Sequence, residues 1–261
     1  MSRVAIVTGA GRGIGAAIVD ALIADGGRVV AVDRCRDDPS IPYALATKAE
    51  LDRVVDRHGD RCLAVVGDVR SASDMRLAVA TATEHFGRLD SVVASAGVIA
   101  GGQPLWAMDD QAYDAVIDIN LHGTRRLFDA AVPHLLTQSA PRQGRLVALS
   151  SAAGLVGLRH LAAYSAAKHG VIGLVKGLAC DLAGSGITAN AVCPGSTTTP
   201  ILDASAALYG LDDTTEFAQH QLLGRLLDPS EPAALVAWLA SEASSGVTGA
   251  ALSVDGGMTT T

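Results

Sequence analysis

Val4-Ala-Ile-Val-Thr-Gly-Ala-Gly-Arg-Gly-Ile-Gly15 decides the fold. Val4–Val7 is a short apolar run with no helical period, and it reads as a buried strand. Glycines follow at 9, 11, 13 and 15, and a helical pattern runs from about Ile14 to Asp25. Glycines at such a turn let the backbone fold tightly and approach a pyrophosphate closely. The helix that follows offers unpaired N–H groups and the positive end of its dipole. A glycine cluster alone carries little. One placed between a strand and a helix is a strong signal for a dinucleotide.

The same alternation continues outward. Further strands are predicted at Arg28–Val32, Cys62–Val66, Ser91–Ala94, Leu146–Leu149, Ile187–Val192 and Ala250–Val254, with helical stretches between them. These apolar runs do not alternate with polar residues, as expected where both faces of a sheet are covered. Strand–helix alternation implies parallel strands joined by right-handed crossovers. The chain is therefore predicted to be one α/β domain over residues 1–261, a doubly wound (Rossmann) parallel sheet of about seven strands with helices on both faces. Ser71 with Asp74 opens a helix towards Phe86, and Thr47-Lys-Ala-Glu50 is a capping box opening a helix over Lys48–His58. That second helix lies within a long connection between Asp33 and Asp68. Residues 34–58 form an extended segment, polar over Arg34–Thr47, which reads either as a functional cover or as a decorated surface crossover.

Composition excludes several classes. Hydrophobic residues make up 49% of the 261 residues and charged ones 18%, too apolar for a disordered chain. No apolar stretch approaches a membrane span. No basic-then-apolar leader opens the sequence, so a cytoplasmic location is expected. The net charge of −7 and only nine aromatic residues argue against nucleic acid as a partner. Cys35, Cys62, Cys180 and Cys193 lie far apart with no CxxC pair, so neither a metal site nor a disulfide framework is expected.

Asp33 ends the second strand, where an acid can accept from the adenosine ribose hydroxyls and repel a 2′-phosphate. NAD is thus favoured over NADP, although Arg12 and Arg34 stand nearby. Tyr164 and Lys168 fall at i and i+4 on one helix face. A neighbouring ammonium favours the phenolate of a group whose free pKa is about 10. Tyr164 is one of four tyrosines and Lys168 one of three lysines, which makes their pairing informative.

The TGxxxGxG spacing of Thr8–Gly15, with Tyr164-Ser-Ala-Ala-Lys168, Ser151 thirteen residues upstream and Asn120 in Asp118-Ile-Asn-Leu-His-Gly, resembles the short-chain dehydrogenase/reductase family over essentially the whole chain. The resemblance implies a catalytic tetrad of Asn120, Ser151, Tyr164 and Lys168. Tyr164 would exchange the alcohol proton, and Lys168 would lower its pKa and hold the nicotinamide ribose. Ser151 would bind the reacting oxygen, and Asn120 would position a water. Ser150, one residue earlier on its strand, is expected to face the other way. The resemblance also implies cofactor contacts from Gly9, Arg12, Gly13, Ile14, Gly15, Asp33 and Arg34. Asp68-Val69 ends the third strand and resembles the adenine-contacting pair, although helix capping is an equal reading for Asp68. Ala94-Ser95-Ala96-Gly97 stands where the family shows Asn-Asn-Ala-Gly. The Ala96-Gly97 turn survives, and Ser95 is expected to replace one lost amide hydrogen bond. Pro194-Gly195 with Thr197 and Thr199 resembles the PGxxxT segment beside the nicotinamide carboxamide. Residues 196–228, above all Ile201–Leu227, would form the substrate loop, with Tyr209 and Phe217 either packing or touching ligand. His160 and His169 are expected to be structural or exposed. Thr248–Gly257 resembles the closing strand of a tetramer interface, so a homotetramer is implied.

A narrower resemblance rests on Val32-Asp-Arg-Cys-Arg-Asp-Asp38, Ile41-Pro-Tyr-Ala-Leu-Ala-Thr47, Gly101-Gly-Gln-Pro-Leu-Trp106 and Ala207-Leu-Tyr-Gly-Leu-Asp-Asp213. Together these are similar to a subgroup associated with the redox peptide cofactor mycofactocin. That implies a tightly held NAD, covered by the segment after Asp33 and reoxidised by mycofactocin. The expected function is hydride transfer between NAD and an alcohol or ketone. The competing readings are a 3-oxoacyl-carrier reductase, which would favour NADP and a basic docking patch, and a nucleotide-sensing module without catalysis, which would have no need of the tetrad.

Overall fold

The computed structural model describes residues 2–139 and 142–260. Strand β1 (Val4–Thr8) is buried at every position and pairs in parallel with both β2 (Arg28–Asp33) and β4 (Ser91–Ala94). With β3 (Cys62–Val66), β5 (Arg145–Leu149), β6 (Thr188–Pro194) and β7 (Ala251–Val254) the sheet is seven-stranded and parallel, in the order β3-β2-β1-β4-β5-β6-β7. The strand order reverses at β1, so a crevice opens there beyond the carboxyl ends of β1 and β4.

Neighbouring strand residues face opposite ways, which explains the unbroken apolar runs. Ile6, Val30, Val92 and Leu146 pack on one side against α3 (Ala72–Phe86), α5 (Gly123–Thr137) and α6 (Ala162–Asp181). Val7, Val29, Val93 and Val147 pack on the other side against α1 (Gly13–Ala24) and α8 (Ser230–Leu239). Both faces are thus covered, and the fold is the doubly wound α/β domain expected.

The element limits differ from the sequence reading in instructive places. α2 (Lys48–Asp56) begins at the Thr47–Glu50 capping box but stops two residues short of His58. Arg57 and His58 both turn to Asp20, and Gly59 takes a left-handed φ of +56°. β6 runs on to Pro194, because Cys193 and Pro194 pair with Ser253 and Val254 of β7. A proline is tolerated at such a strand end, where its missing N–H removes no central ladder bond. Between α4 (Asp110–Ile117) and α5 the chain makes a π-helical turn, Asp118–His122. Such turns place a wide loop of backbone inside a helix and are frequent at functional sites. α7 (Pro200–Tyr209) and a 3₁₀ stretch, Thr214–His220, follow β6.

Candidate active site

One cavity of about 630 Å³ runs along the carboxyl ends of the strands. Its lining joins the glycine-rich turn and Asp33 at one end to Ser151, Tyr164 and Lys168 in the middle. Beyond these it reaches the α7 and 3₁₀ region at Ile201, Tyr209 and Phe217. The structure brings all the cofactor-contact candidates named above to this one cavity: Gly9, Arg12, Gly13, Ile14, Gly15, Asp33, Arg34, Asp68, Val69, Ser95, Ala96, Gly97, Tyr164, Lys168, Pro194, Gly195, Thr197 and Thr199. Asn120 is the one tetrad candidate that does not line it; it lies fully buried behind the cavity wall.

The first turn is shaped for close approach. A Cβ on Gly15 would lie 2.0 Å from the Gly9 carbonyl oxygen, and one on Gly9 would lie 2.7 Å from the Ala96 Cα. Only glycine fits at either position, and the backbone N–H groups that open α1 are left facing the cavity end. Asp33 Oδ2 accepts from the Gly11 N–H at 2.9 Å, which fixes the carboxylate beside the turn.

Asp68 does not cap α3. Ser71 does so, its Oγ accepting from the Asp74 N–H at 3.2 Å. The Asp68 carboxylate is instead held by Arg70 at 2.8 Å and lies 3.1 Å from Arg34 Nε. Asp38 joins the group, 2.6 Å from Arg34 and 2.9 Å from Arg70. Burial pushes both carboxyls up. Hydrogen bonds from Ser40 and Arg34 and the charge of Arg70 outweigh this at Asp38, and those of Arg70 with the charge of Arg34 do so at Asp68. Both groups end below their ordinary values.

The Ser95–Gly97 turn keeps its position without the family's two amides. Thr8 Oγ1 accepts from the N–H groups of Ser95 and Ala96 at 3.2 and 3.3 Å. The Ser95 hydroxyl itself makes no hydrogen bond among the described residues, so the support comes from β1. Asn120 secures the next residue. Its Oδ1 accepts from the Val98 N–H at 3.2 Å, and its Nδ2 donates to the carbonyls of Val98 and Val116 at 2.9 and 2.8 Å. Its amide is thereby spent on the backbone. A Cβ on Gly97 would lie 2.7 Å from that Oδ1 and 3.4 Å from Lys168 Nζ, so this glycine is required for Asn120, Lys168 and the turn to share the space.

On α6, Tyr164 and Lys168 share a face, with Lys168 Nζ 5.6 Å from the Tyr164 ring centroid. The ammonium donates to the Leu149 carbonyl at 2.8 Å, and burial pushes its pKa down to about 8. Burial pushes the Tyr164 phenol up, and a hydrogen bond with Ser151 pulls it back. The hydrogen bond with Ser151 supplies a downward pull on the phenol, while one Lys168 N–H is committed to the strand. Ser150 Oγ donates to the Lys168 carbonyl at 2.9 Å, anchoring α6 to the end of β5, although the residue also lines the cavity. Thr199 donates to the Thr197 carbonyl and Thr197 to that of Gly195, at 3.1 and 3.0 Å, folding the segment after Pro194 against the cavity. His169 Nδ1 lies 2.9 Å from the Ser165 carbonyl, within its own helix.

Tyr43 was not singled out from its residue type alone. It comes from the long segment after Asp33, and its hydroxyl accepts from the Ile99 N–H at 3.0 Å across the cavity. Burial pushes its phenol up to about 12. Nearby, Arg12 donates to the Ala44 carbonyl at 2.6 Å and the Leu45 N–H donates to Asp37 at 2.7 Å. Residues 34–47 thus form a strap over the Gly11–Arg12 turn. The signal available in the sequence was the length of the connection and a tyrosine inside it. Among the described residues, no group of three or more His, Cys, Asp or Glu side chains is placed to hold a metal, all four cysteines are free, and no helix is long and apolar enough to cross a membrane.

Residues 9–259 match the family described as enoyl-(acyl carrier protein) reductase. The cis-4-hydroxycyclohexanecarboxylate dehydrogenase of Sinomonas cyclohexanicum is 38% identical, with 98% of this chain and 96% of that protein covered. Carveol dehydrogenase from Mycobacterium avium, solved in complex with NAD, superposes with a TM-score of 0.92 at 33% identity, over 99% and 98% of the two chains. The 3-ketoacyl-(acyl-carrier-protein) reductase from Brucella melitensis, solved with NADH, gives 0.86 at 31% identity over 98% of each. The chain belongs to the short-chain dehydrogenase/reductase family of oxidoreductases.

Proposed function

We propose that the protein is an NAD-dependent alcohol dehydrogenase or carbonyl reductase acting on a small, largely apolar secondary alcohol or ketone. The observation that carries this reading is the single cavity that joins a glycine-only turn to Tyr164, Ser151 and Lys168. The residues present fit a dinucleotide. Gly9, Gly13 and Gly15 leave room for a pyrophosphate, Asp33 stands ready for a ribose diol, and Pro194–Thr199 flank the far end. A bound nicotinamide supplies the acceptor or donor for the hydride. The remaining tasks fall to the chain. Tyr164 Oη takes the alcohol proton in oxidation and returns it in reduction. Ser151 orients the reacting oxygen and stabilises the phenolate. Lys168, charged below pH 8, adds positive potential under the ring and is placed for the ribose. Asn120 acts through the backbone, clamping the Gly97–Val98 turn to the π-helical turn.

The substrate end is mainly apolar, lined by Leu158, Leu161, Ile201, Leu202, Tyr209 and Phe217, with Arg159, Glu216, Gln219 and His220 as polar side chains beside them. That suits an alicyclic alcohol, the chemistry named for two of the relatives. The strap of residues 34–47 supports the finer reading. Tyr43, Leu45 and Ala46 line the cavity on the adenosine side, so NAD would leave slowly and its hydride would pass to an external acceptor such as mycofactocin. The active form would be a homotetramer in the cytoplasm. The test is turnover of a panel of secondary alcohols with NAD, with NADP, and with an artificial electron acceptor. Oxidation of alicyclic alcohols with NAD supports the dehydrogenase. Faster oxidation with the acceptor supports the retained coenzyme. Preference for NADP and an acyl-carrier substrate would replace this reading with the carrier reductase, and a protein that binds NAD without turnover would be the sensing module.

A further inference from the structure

We propose that Asp38 is a coenzyme-specificity residue, acting by holding the Arg34 guanidinium away from the position where a 2′-phosphate would bind. This rests on the reading that the cavity takes a dinucleotide with its adenosine beside Asp33. Arg34 directly follows Asp33 and lines the cavity, so it is the cation nearest in sequence to the ribose position. An arginine so placed is suited to a phosphate, because its planar fork matches phosphate oxygens. Here its Nη1 donates to Asp38 at 2.6 Å, while its Nε lies 3.1 Å from Asp68 as an ion pair without a hydrogen bond.

The second cation of the region is engaged too, with Arg70 held between the same two carboxylates at 2.9 and 2.8 Å. The lock is partly desolvated. The Asp38 side chain is 5% exposed and that of Arg34 17%, so screening by water and salt is weak and releasing either partner is costly. Asp33, Asp38 and Asp68 against Arg34 and Arg70 sum to −1, and Arg12, a further cation lining the cavity, donates to the Ala44 carbonyl at 2.6 Å. Asp38 does not line the cavity, so it works through Arg34 as a positioning residue. Its other carboxylate oxygen accepts from the Ser40 N–H at 2.9 Å, which fixes it where Arg34 can reach it. Discrimination against NADP therefore has two parts: repulsion by Asp33, and the withdrawal of Arg34 by Asp38.

Isothermal titration of 5′-AMP and adenosine 2′,5′-bisphosphate isolates the 2′-phosphate from catalysis. Asp33→Asn keeps the acceptor for Gly11 and should improve bisphosphate binding a few-fold. Adding Asp38→Asn, which keeps the acceptor for Ser40, should improve it about tenfold or more again, the worth of one freed charge-assisted hydrogen bond. Adding Asp37→Asn instead makes the same change in net charge. Asp37 is exposed and bonds only the Leu45 N–H, so this variant should stay near Asp33→Asn alone. A further Arg34→Ala should erase the gain of the Asp33/Asp38 pair. Asp38→Ser serves the same arm if the asparagine variant does not fold. Equal bisphosphate affinity in the Asp38 and Asp37 variants, with 5′-AMP still bound, would overturn the proposal while leaving the dinucleotide reading intact. An unmodified protein that binds neither 5′-AMP nor NAD would remove that reading, and this inference with it.

Discussion

Tyr43→Phe tests whether the strap controls coenzyme release. The substitution keeps the ring and deletes the hydroxyl that accepts from the Ile99 N–H at 3.0 Å. In the opened strap both groups meet water, so the bond's net worth is about 0.5–1.5 kcal/mol rather than its gross energy. At about 1.36 kcal/mol per tenfold, NADH release should quicken by about 2- to 12-fold. Tyr43→Ala also removes a half-buried ring from the cavity wall. A fully buried aromatic truncated to alanine costs about 3–5 kcal/mol, so half of that adds on the order of 2 kcal/mol, and release should quicken well beyond tenfold. Protein loaded with NADH would be mixed in a stopped-flow instrument with excess lactate dehydrogenase and pyruvate. These oxidise only the NADH that has left, so the loss of fluorescence reads the release rate. An unchanged rate in Tyr43→Ala would refute a gating strap. Faster release in alanine but not in phenylalanine would assign the effect to the ring and not to the Ile99 bond.

Tyr164→Phe should lower turnover by at least ~10²-fold, the lower range for general acid–base catalysis, with NAD affinity retained in titration calorimetry. Ser151→Ala removes the hydrogen bond that pulls the Tyr164 phenol down, so the pH at which alcohol oxidation reaches half its limiting rate should move upward; a downward move would contradict the assigned direction. Lys168 has a folded pKa of about 8 against an ordinary value of 10.5, so between these the unfolded chain binds more protons. The nucleotide-free protein should therefore gain stability from pH 8 to 10.5 on this residue's account, on the order of 3 kcal/mol. Urea unfolding of unmodified protein and Lys168→Met should show that rise in the first and its loss in the second.

How much of this was legible in the sequence depends on whether a feature resides in residue type or in backbone path. The strands were legible because apolar runs between turn residues have only one sensible use in a sheet covered on both faces. β3 and β4 fall on Cys62–Val66 and Ser91–Ala94 as read. The cavity's glycines and Asp33 were legible because steric exclusion and charge belong to the residues themselves. Ser151, Tyr164 and Lys168 were legible as a spacing. Their interactions were not, since Lys168 turns to the Leu149 carbonyl, a backbone atom that no residue identity announces.

Asn120 shows the limit most clearly. Its type and motif marked it as a site residue, and its expected task was to hold a water. Its side chain makes three hydrogen bonds to backbone groups of Val98 and Val116, beside the π-turn over Asp118–His122, and no residue identity announces those partners. Tyr43 and Asp38 fail to announce themselves for the same reason. Each sits in a polar stretch that looks like surface, and each acquires its role from a partner far away in sequence or held in an ion network: Ile99 for the first, Arg34 and Arg70 for the second. The chemistry-bearing groups of the site are thus written in residue types, while the cover over its glycine-rich turn is written in the path of the strap. That division predicts where relatives of the same chemistry should diverge in coenzyme handling: in residues 34–47, with the tetrad unchanged.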